Sequence, residues 1–421
     1  MNILFVHQNF PGQFPHLAPA LAGRGHRVLA LTDEHNARPA PSGVQVLRYR
    51  APAEPDRAAT GPAHNYARAA ARGVHAARAA VSLRDRHGFV PDVVLGHPGW
   101  GETLFLRDVW PQARHLAYAE FYYAATGLDA GFDPEFQPDT PERRFGVTAR
   151  KAHLAQAMLD ADAGLAPTRW QAGTFPPELR GKIAVIHDGI DCDRIAPDPG
   201  ARVTLTPEGA APVTLGAGDE VLSFVSRNLE PYRGVHVFLR ALPAVLAARP
   251  RARVVVVGGD GVSYGGAPAD GRSWKRLLLD ELGDRIDPAR VLFVGRIPYA
   301  DFVALMQVTR VHAYLSYPFV LSWSMLEAMA AGAHVVGSDT PPVREVLDPG
   351  KTGDTVGFFD IAGWSGMLTA ALAEPARFDN RRAGARALMR ERYDLRGVCL
   401  PRLLGFVESG GRDTGPAAAR P

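Results

Sequence analysis

Between Val311 and Val346 the chain reads VHAYLSYPFVLSWSMLEAMAAGAHVVGSDTPPVREV, and no other stretch narrows the choice of fold so far. It predicts an apolar strand over Val311–Leu315, a Pro-containing turn, a helix opening near Ser322 and carrying Glu327, and a second strand over His334–Gly337 that runs into Ser-Asp-Thr-Pro-Pro. Two short apolar strands joined through a helix belong to a parallel sheet covered by helices. A helix that starts where a parallel strand ends points free backbone N–H groups at whatever sits above the sheet, which suits an anion. A carboxylate one turn into that helix suits the hydroxyls of an attached sugar. The stretch therefore reads as a nucleotide-sugar site.

The same strand, turn and helix order recurs through the chain. Asn2–His7 is an apolar strand followed by the turn QNFPGQF and a helical pattern over Phe14–Gly23, and Val28–Leu31 is the next strand. Val93–Leu95, Arg114–Ala119, a short strand near Gly164 and Ile183–Ile186 follow, with helical patterns between them. After residues rich in Pro, Gly and Thr, the order begins again with strands at Val221–Val225, Arg253–Val257 and Val291–Val294. A chain of 421 residues is too long for one core and suits two α/β domains. The expected division is 1–196, a linker at 197–218, a second domain at 219–410 whose final helix can cross back to the first, and a disordered tail at 411–421. Two doubly wound parallel sheets would then flank a cleft.

Composition excludes several functions. The formal charge of +3 gives no case for nucleic acid, and Cys192 and Cys399 lack the partner spacing of a disulfide framework or zinc site. They fit a reducing cytoplasm. The N-terminus MNILFVHQNF lacks a basic region and a cleavage site and reads as a first strand, and no apolar run has the length of a spanning helix. The first turn holds Gly12 but not the spaced glycines of a dinucleotide fingerprint, so a nicotinamide or flavin cofactor is disfavoured and none is expected. The Ala- and Arg-rich stretch 52–88, with Arg68, Arg72 and Arg78, reads either as a solvated helix face or as a patch for an anionic acceptor or the inner membrane face. His97 stands at the carboxyl end of a buried strand, where open α/β sheets bind ligands. The acidic, Pro-rich loop GLDAGFDPEFQPDTPE reads as a lid or as a surface excursion.

FVHQNFPGQF, DVVLGH, HDGID, SRNLEPYRG, VVVVGGDG, LFVGRIPY and LEAMAAGAHVVGSD occur in an order and spacing that, from Asn2 to Phe406, resembles the GT-B-fold glycosyltransferases of family 4, retaining enzymes that use nucleotide sugars. The likeness is to the branch that begins ILFVHQNFPGQF. It implies two Rossmann-like domains, with a nucleotide-sugar donor and a saccharide, lipid-linked or small-molecule acceptor. Arg227 and Arg233 correspond to the family's Arg and Lys pair, where two fixed cations would stabilise a leaving diphosphate as it gains charge; locally they could also serve a salt bridge to Glu230. Glu327 corresponds to the second Glu of the family motif, which holds ribose hydroxyls, although Ser324-Met-Leu-Glu327 is also a capping-box pattern. Gly295 to Ile297 correspond to the loop that meets the base, and Gly12 and His97 to first-domain groups that approach the transferred sugar; Ser322, near the helix start, is a candidate donor contact in place of the family's own. No metal and no catalytic base are expected.

The chain departs from the family at one place. The first Glu of the motif is here Phe319, and the Gly-Phe-Gly after it is Val320-Leu321-Ser322. Phe319 either faces a modified donor, such as a deoxy or amino sugar, or turns into the core and shapes the loop. A retaining glycosyltransferase is the expected function, with a nucleotide-sugar epimerase or hydrolase and a non-catalytic binding protein as alternatives.

Overall fold

The computed structural model describes residues 1–412; the expected tail falls mostly outside the described residues, and only Gly411 and Arg412 of it are seen. Those two are tied back, the Gly411 amide donating to the Phe406 carbonyl at 2.8 Å and the Arg412 amide to Ser409 Oγ at 3.1 Å.

The chain divides into two units, one formed by residues up to Gly189 together with those from Leu395 onward, the other by Ile190–Asp394. The first unit contains β1 (Asn2–Val6), β2 (Arg27–Asp33), β3 (Val44–Tyr49), β4 (Val93–Gly96), β5 (Arg114–Tyr118), β6 (Ala163–Ala166) and β7 (Ile183–Val185). They form a seven-stranded sheet in the order β3-β2-β1-β4-β5-β6-β7, parallel throughout. β1 is buried on both faces, as a central parallel strand must be. Ile3 and Phe5 join one core cluster while Leu4 and Val6 join another. The helix Leu400–Glu408 places Leu403, Phe406 and Val407 in the cluster of Ile3 and Phe5, and Glu408 pairs with Arg24 at 2.7 Å. The C-terminal helix thus belongs to the first unit.

The second unit adds β8 (Arg202–Leu205), β9 (Val213–Gly216), β10 (Val221–Asn228), β11 (Arg253–Gly259), β12 (Val291–Phe293), β13 (Val311–Tyr314), β14 (His334–Ser338) and β15 (Asp354–Val356). β10 to β15 form a parallel sheet in the order β12-β11-β10-β13-β14-β15. In each sheet the winding reverses beside the first strand, between β1 and β4 and between β10 and β13. Such a switch point opens a crevice at the carboxyl ends of the strands.

Two expected boundaries need correction. Residues 197–218 are not a plain linker: β8 and β9 form an antiparallel hairpin whose Val203, Leu205 and Leu215 enter the second unit's core. The Glu208 amide also donates to the Phe293 carbonyl at 2.8 Å. The short period-two runs RVTL and VTLG, set among turn formers, hid the hairpin. The first unit ends at Gly189 rather than residue 196, because Ile190, Cys192 and Ile195 pack into the second unit's core. The helical pattern over 376–404 is also broken, into Asp379–Leu388, two irregular turns and Leu400–Glu408.

Candidate functional site

At the carboxyl edge of the second sheet, the chain leaves β10 through Arg227 and turns at Pro231–Arg233 before the helix Val235–Ala248. Gly234 makes this turn at φ +67° against the Leu315 side chain, a position closed to a residue with a Cβ. Arg233 is buried. Its Nη1 lies within hydrogen-bond reach of Ser316 Oγ at 2.8 Å, the Val320 carbonyl at 3.0 Å and the Tyr314 hydroxyl at 3.3 Å, and the guanidinium carbon is 5.3 Å from the Tyr264 ring centre. A buried cation persists only where dipoles and ring faces replace water in this way. Arg227, by contrast, is exposed. The Glu230 charge acts on Arg233, but its carboxylate hydrogen-bonds elsewhere, accepting the backbone N–H groups of Ser263, Tyr264 and Gly265 at 2.9, 3.2 and 3.0 Å and pinning the loop after β11.

The helix Trp323–Ala331 starts at the carboxyl end of β13, capped by Ser322, whose Oγ accepts from the Ser324 amide. The Ser322 amide donates to the Tyr314 hydroxyl at 2.8 Å, so Tyr314 ties the helix start to Arg233. Because the cap is Ser322 and not Ser324, Glu327 lies beyond the first turn and the capping-box reading fails. Its Oε1 instead accepts from the Tyr299 hydroxyl at 2.6 Å, and burial pushes its carboxyl above the ordinary range. Gly295 holds φ +61° just after β12 and Ile297 packs against the core, while Arg296 between them donates to Asn228 Oδ1 at 2.9 Å, so the loop offers backbone groups and one guanidinium. Phe319 is turned inward. Its ring lies 4.9 Å from Tyr264 and 5.5 Å from Tyr232, and the Arg233 guanidinium is 5.9 Å from its centre.

The carboxyl edge of the first sheet carries a different set. His97 follows β4, and its Nδ1 accepts the Gly99 amide at 3.0 Å while Nε2 meets Glu120 Oε2 at 3.2 Å. His7 follows β1 in the same way, with Nδ1 accepting the Asn9 amide at 2.9 Å and Nε2 at 2.8 Å from Gln13 Oε1. Gln13 in turn donates to Glu120 Oε1 at 2.8 Å. Gly12 sits directly on this cluster at φ +51°, where a Cβ would overlap the His7 ring. Beneath it, the Tyr118 hydroxyl donates to Asp188 at 2.9 Å, and burial pushes the neighbouring His187 down to about 4.

The Ala- and Arg-rich segment is not a plain solvated face. Arg72 of the helix His64–His87 pairs with Asp33 and reaches the Tyr49 hydroxyl at 3.1 Å, while Tyr49 donates to the fully buried Glu102 at 2.7 Å. Burial pushes Glu102 upward in spite of these partners. Arg68 pairs with Glu54. Among the described residues, no helix is long and apolar enough to cross a membrane.

The expected residues therefore fall into two groups, Gly12 and His97 on the first sheet, and Arg227, Arg233, Gly295, Ile297, Ser322 and Glu327 on the second. His7, Gln13, Glu120, Tyr314, Ser316 and Tyr299 were not anticipated as site residues. Their signal was position: His7 and His97 each stand directly after an apolar strand, and Glu120 two residues after one.

A family model described as Glycosyl transferase family 4 group matches residues 24–195, and one described as Glycosyl transferases group 1 matches residues 219–373. The D-inositol 3-phosphate glycosyltransferase of Streptomyces avermitilis is 29% identical over 246 residues, 56% of this chain and 49% of that protein. The phosphatidyl-myo-inositol mannosyltransferase of Mycolicibacterium smegmatis is 33% identical over 179 residues, 41% of this chain and 40% of that protein. The chain thus spans about half the length of the curated relatives it matches. Among solved structures, Anabaena HepE in complex with UDP-glucose has a TM-score of 0.66 at 16% identity, covering 97% of this chain and 100% of that one. A sucrose-phosphate synthase from Thermosynechococcus elongatus has a TM-score of 0.65 at 15% identity, covering 95% and 97%. These likenesses show the fold to be GT-B.

Proposed function

We propose, from the premise that this chain belongs to the GT-B glycosyltransferases of the family 4 type, that it moves a sugar from a nucleoside-diphosphate donor to an envelope, exopolysaccharide or small-molecule acceptor with retention at the anomeric carbon. The observation that carries the reading is a pair of arginines, Arg227 exposed near the carboxyl end of β10 and Arg233 buried and fixed in the turn that follows it, at the switch point of the second sheet. Breaking the glycosidic bond places negative charge on the leaving diphosphate. Cations held in place beforehand stabilise that charge more than they stabilise the ground state. Arg227 contacts the phosphates directly, and Arg233 sets the local potential and the shape of the turn. The amide groups at the start of the helix Trp323–Ala331 add dipole in the same sense.

Glu327, kept in place by Tyr299, accepts the ribose hydroxyls, and the backbone at Gly295–Ile297 meets the base. Gly12 lets the first-unit loop approach the transferred sugar, near His97. No protein base is assigned, because departure assisted by the leaving phosphate needs none. The reaction needs no divalent metal, the arginines supplying the charge, and it takes place in the reducing cytoplasm, where both buried cysteines remain thiols. Relatives named for inositol phosphate and phosphatidyl-inositol acceptors, and a UDP-glucose complex of HepE, support a nucleotide-sugar donor and a polyol or lipid-linked acceptor. A lipid-linked acceptor would bring the chain to the inner membrane face.

A panel of nucleotide sugars, each offered with and without polyol and lipid-linked acceptors, tests this by nucleotide release. Release coupled to a glycosylated product is expected for at least one pair. Release without product supports hydrolysis or epimerisation, and tight binding without release supports a non-catalytic binder. Either outcome overturns the transferase.

A further inference from the structure

We propose that Glu120 is a positioning residue whose carboxylate fixes where the protons of His97 and, through Gln13, His7 reside, and thereby braces the three loops that leave β1, β4 and β5. The functional part of this inference rests on the transferase reading. The structural part does not.

The argument follows from which groups can donate. A backbone N–H only donates, so Nδ1 of His7, facing the Asn9 amide at 2.9 Å, and Nδ1 of His97, facing the Gly99 amide at 3.0 Å, must both carry lone pairs. Both rings are therefore neutral, with the proton on Nε2. Both Nε2–H groups then need acceptors. His97 finds one in Glu120 Oε2 at 3.2 Å, and His7 finds one in Gln13 Oε1 at 2.8 Å. The Gln13 amide is thereby oriented with its NH₂ toward Glu120 Oε1 at 2.8 Å. Every bond in the chain now points at Glu120. The two bonds arrive at different oxygens of Glu120, and a carboxylate is the side chain that presents two acceptor-only oxygens.

The residues so joined come from loops distant in sequence. The Asn9 amide on His7 holds the turn that presents Gly12, and the Gly99 amide on His97 holds the turn after β4, so the proton positions and the two loop shapes are one arrangement. The two rings lie 5.3 Å apart, edge to face. His97 and His7 are both buried, whereas the Glu120 side chain keeps 30% of its surface exposed, at the end of the network nearest solvent.

An amide at position 120 breaks this logic, having one acceptor where two are required. In Glu120→Gln, an oxygen turned to His97 leaves NH₂ against the Gln13 NH₂, and the opposite orientation sets NH₂ against His97 Nε2–H. One ring must change tautomer or lose its backbone contact. Exchanging the two residues, in Gln13→Glu/Glu120→Gln, restores the side-chain bonds of this network. The carboxylate at 13 accepts from His7 and from the amide at 120, whose oxygen accepts from His97.

The test is nitrogen-15 NMR of the imidazoles in the full chain, which distinguishes Nδ1–H from Nε2–H, combined with kinetics on the donor that the wild type turns over. Wild type should show His7 and His97 as Nε2–H; Glu120→Gln should displace at least one of them and lower kcat by about tenfold or more with little change in donor KM. The double exchange should restore both signatures and most of kcat. Should Glu120→Gln fail to fold, Gln13→Leu examines the same chain from the other side, with His7 losing its ordered signature and His97 keeping it. Unchanged imidazoles in the folded single variants, or an exchange that fails to restore them, overturns the proposal. Restored imidazoles without restored turnover overturn its functional part. If the wild type turns over no donor, the transferase reading fails while the NMR result still decides the role of Glu120.

Discussion

The two sheets have the same winding and opposite chemistry at their carboxyl edges. Beside β10 the turn holds a guanidinium, kept dry by Tyr314, Ser316, the Val320 carbonyl and the rings of Tyr264 and Phe319. Beside β1 the equivalent crevice holds two neutral imidazoles whose N–H groups run to a carboxylate. One edge suits phosphate and the other suits hydroxyls, and the strand order alone assigns neither. What differs is the few residues that follow each strand.

The largest effect that could break this comparison is acidification. Burial pushes His187 in the first unit from 6.5 to about 4, and His312 in the second from 6.5 to about 3. Each is a lowered imidazole, so the unfolded chain takes up a proton near pH 6.5 that the folded chain refuses. The stability is present above that pH and is lost as pH falls from there through about 4 for His187 and about 3 for His312, amounting to about 3 kcal/mol for each group by pH 4. Urea unfolding of wild type, His187→Gln and His312→Gln between pH 7 and pH 4 measures it. Each variant should flatten the profile, and an unaltered profile would show that these histidines are not buried as neutral rings.

Next in size is the contrast within the arginine pair. Arg233→Met removes a cation on which Ser316 and the Val320 carbonyl depend, and should destabilise the second unit by about 2–4 kcal/mol. Arg227→Met, at an exposed site, should stay within about 0.5 kcal/mol of wild type. Equal shifts in the urea midpoint would remove the distinction between a fixed and a reaching cation.

A smaller effect separates ribose binding from fold support at Glu327. An amide can still accept from the Tyr299 hydroxyl, so Glu327→Gln should leave stability nearly intact while weakening donor binding by about 1 kcal/mol. Wild type should also prefer ribo- over 2′-deoxyribonucleotides, and indifference to that hydroxyl sinks the assignment. The smallest expected effect is that of EDTA, which should leave turnover unchanged. Full loss restored by magnesium or manganese would mean that the arginines do not supply the charge.

Much of the fold was legible because the central strands are short, mainly apolar runs set between helical patterns and turns. β3 and β15 were not, the first being an alternating edge strand and the second three residues long. The arginines and Glu327 were singled out by likeness to the family's motifs, each lying within one continuous stretch of sequence. The Glu120 network was not, because positions 7, 13, 97 and 120 come together only after the parallel registers pair Val6 with Gly96 and Gly96 with Ala117. Phe319 shows the limit of motif reading from the other side. The motif marks an absent carboxylate, but only the packing against Tyr232 and Tyr264 shows the ring buried beside Arg233.

The most direct test of the account is a calorimetric titration of UDP and GDP, each against its parent nucleoside, into wild type and Arg227→Ala with chelator present. The account predicts that a diphosphate binds wild type at least about tenfold more tightly than its nucleoside. Arg227→Ala should remove most of that gap without moving the unfolding midpoint. Diphosphate and nucleoside binding alike in wild type, or a gap that survives Arg227→Ala in full, would contradict the placement of the phosphate site at this edge.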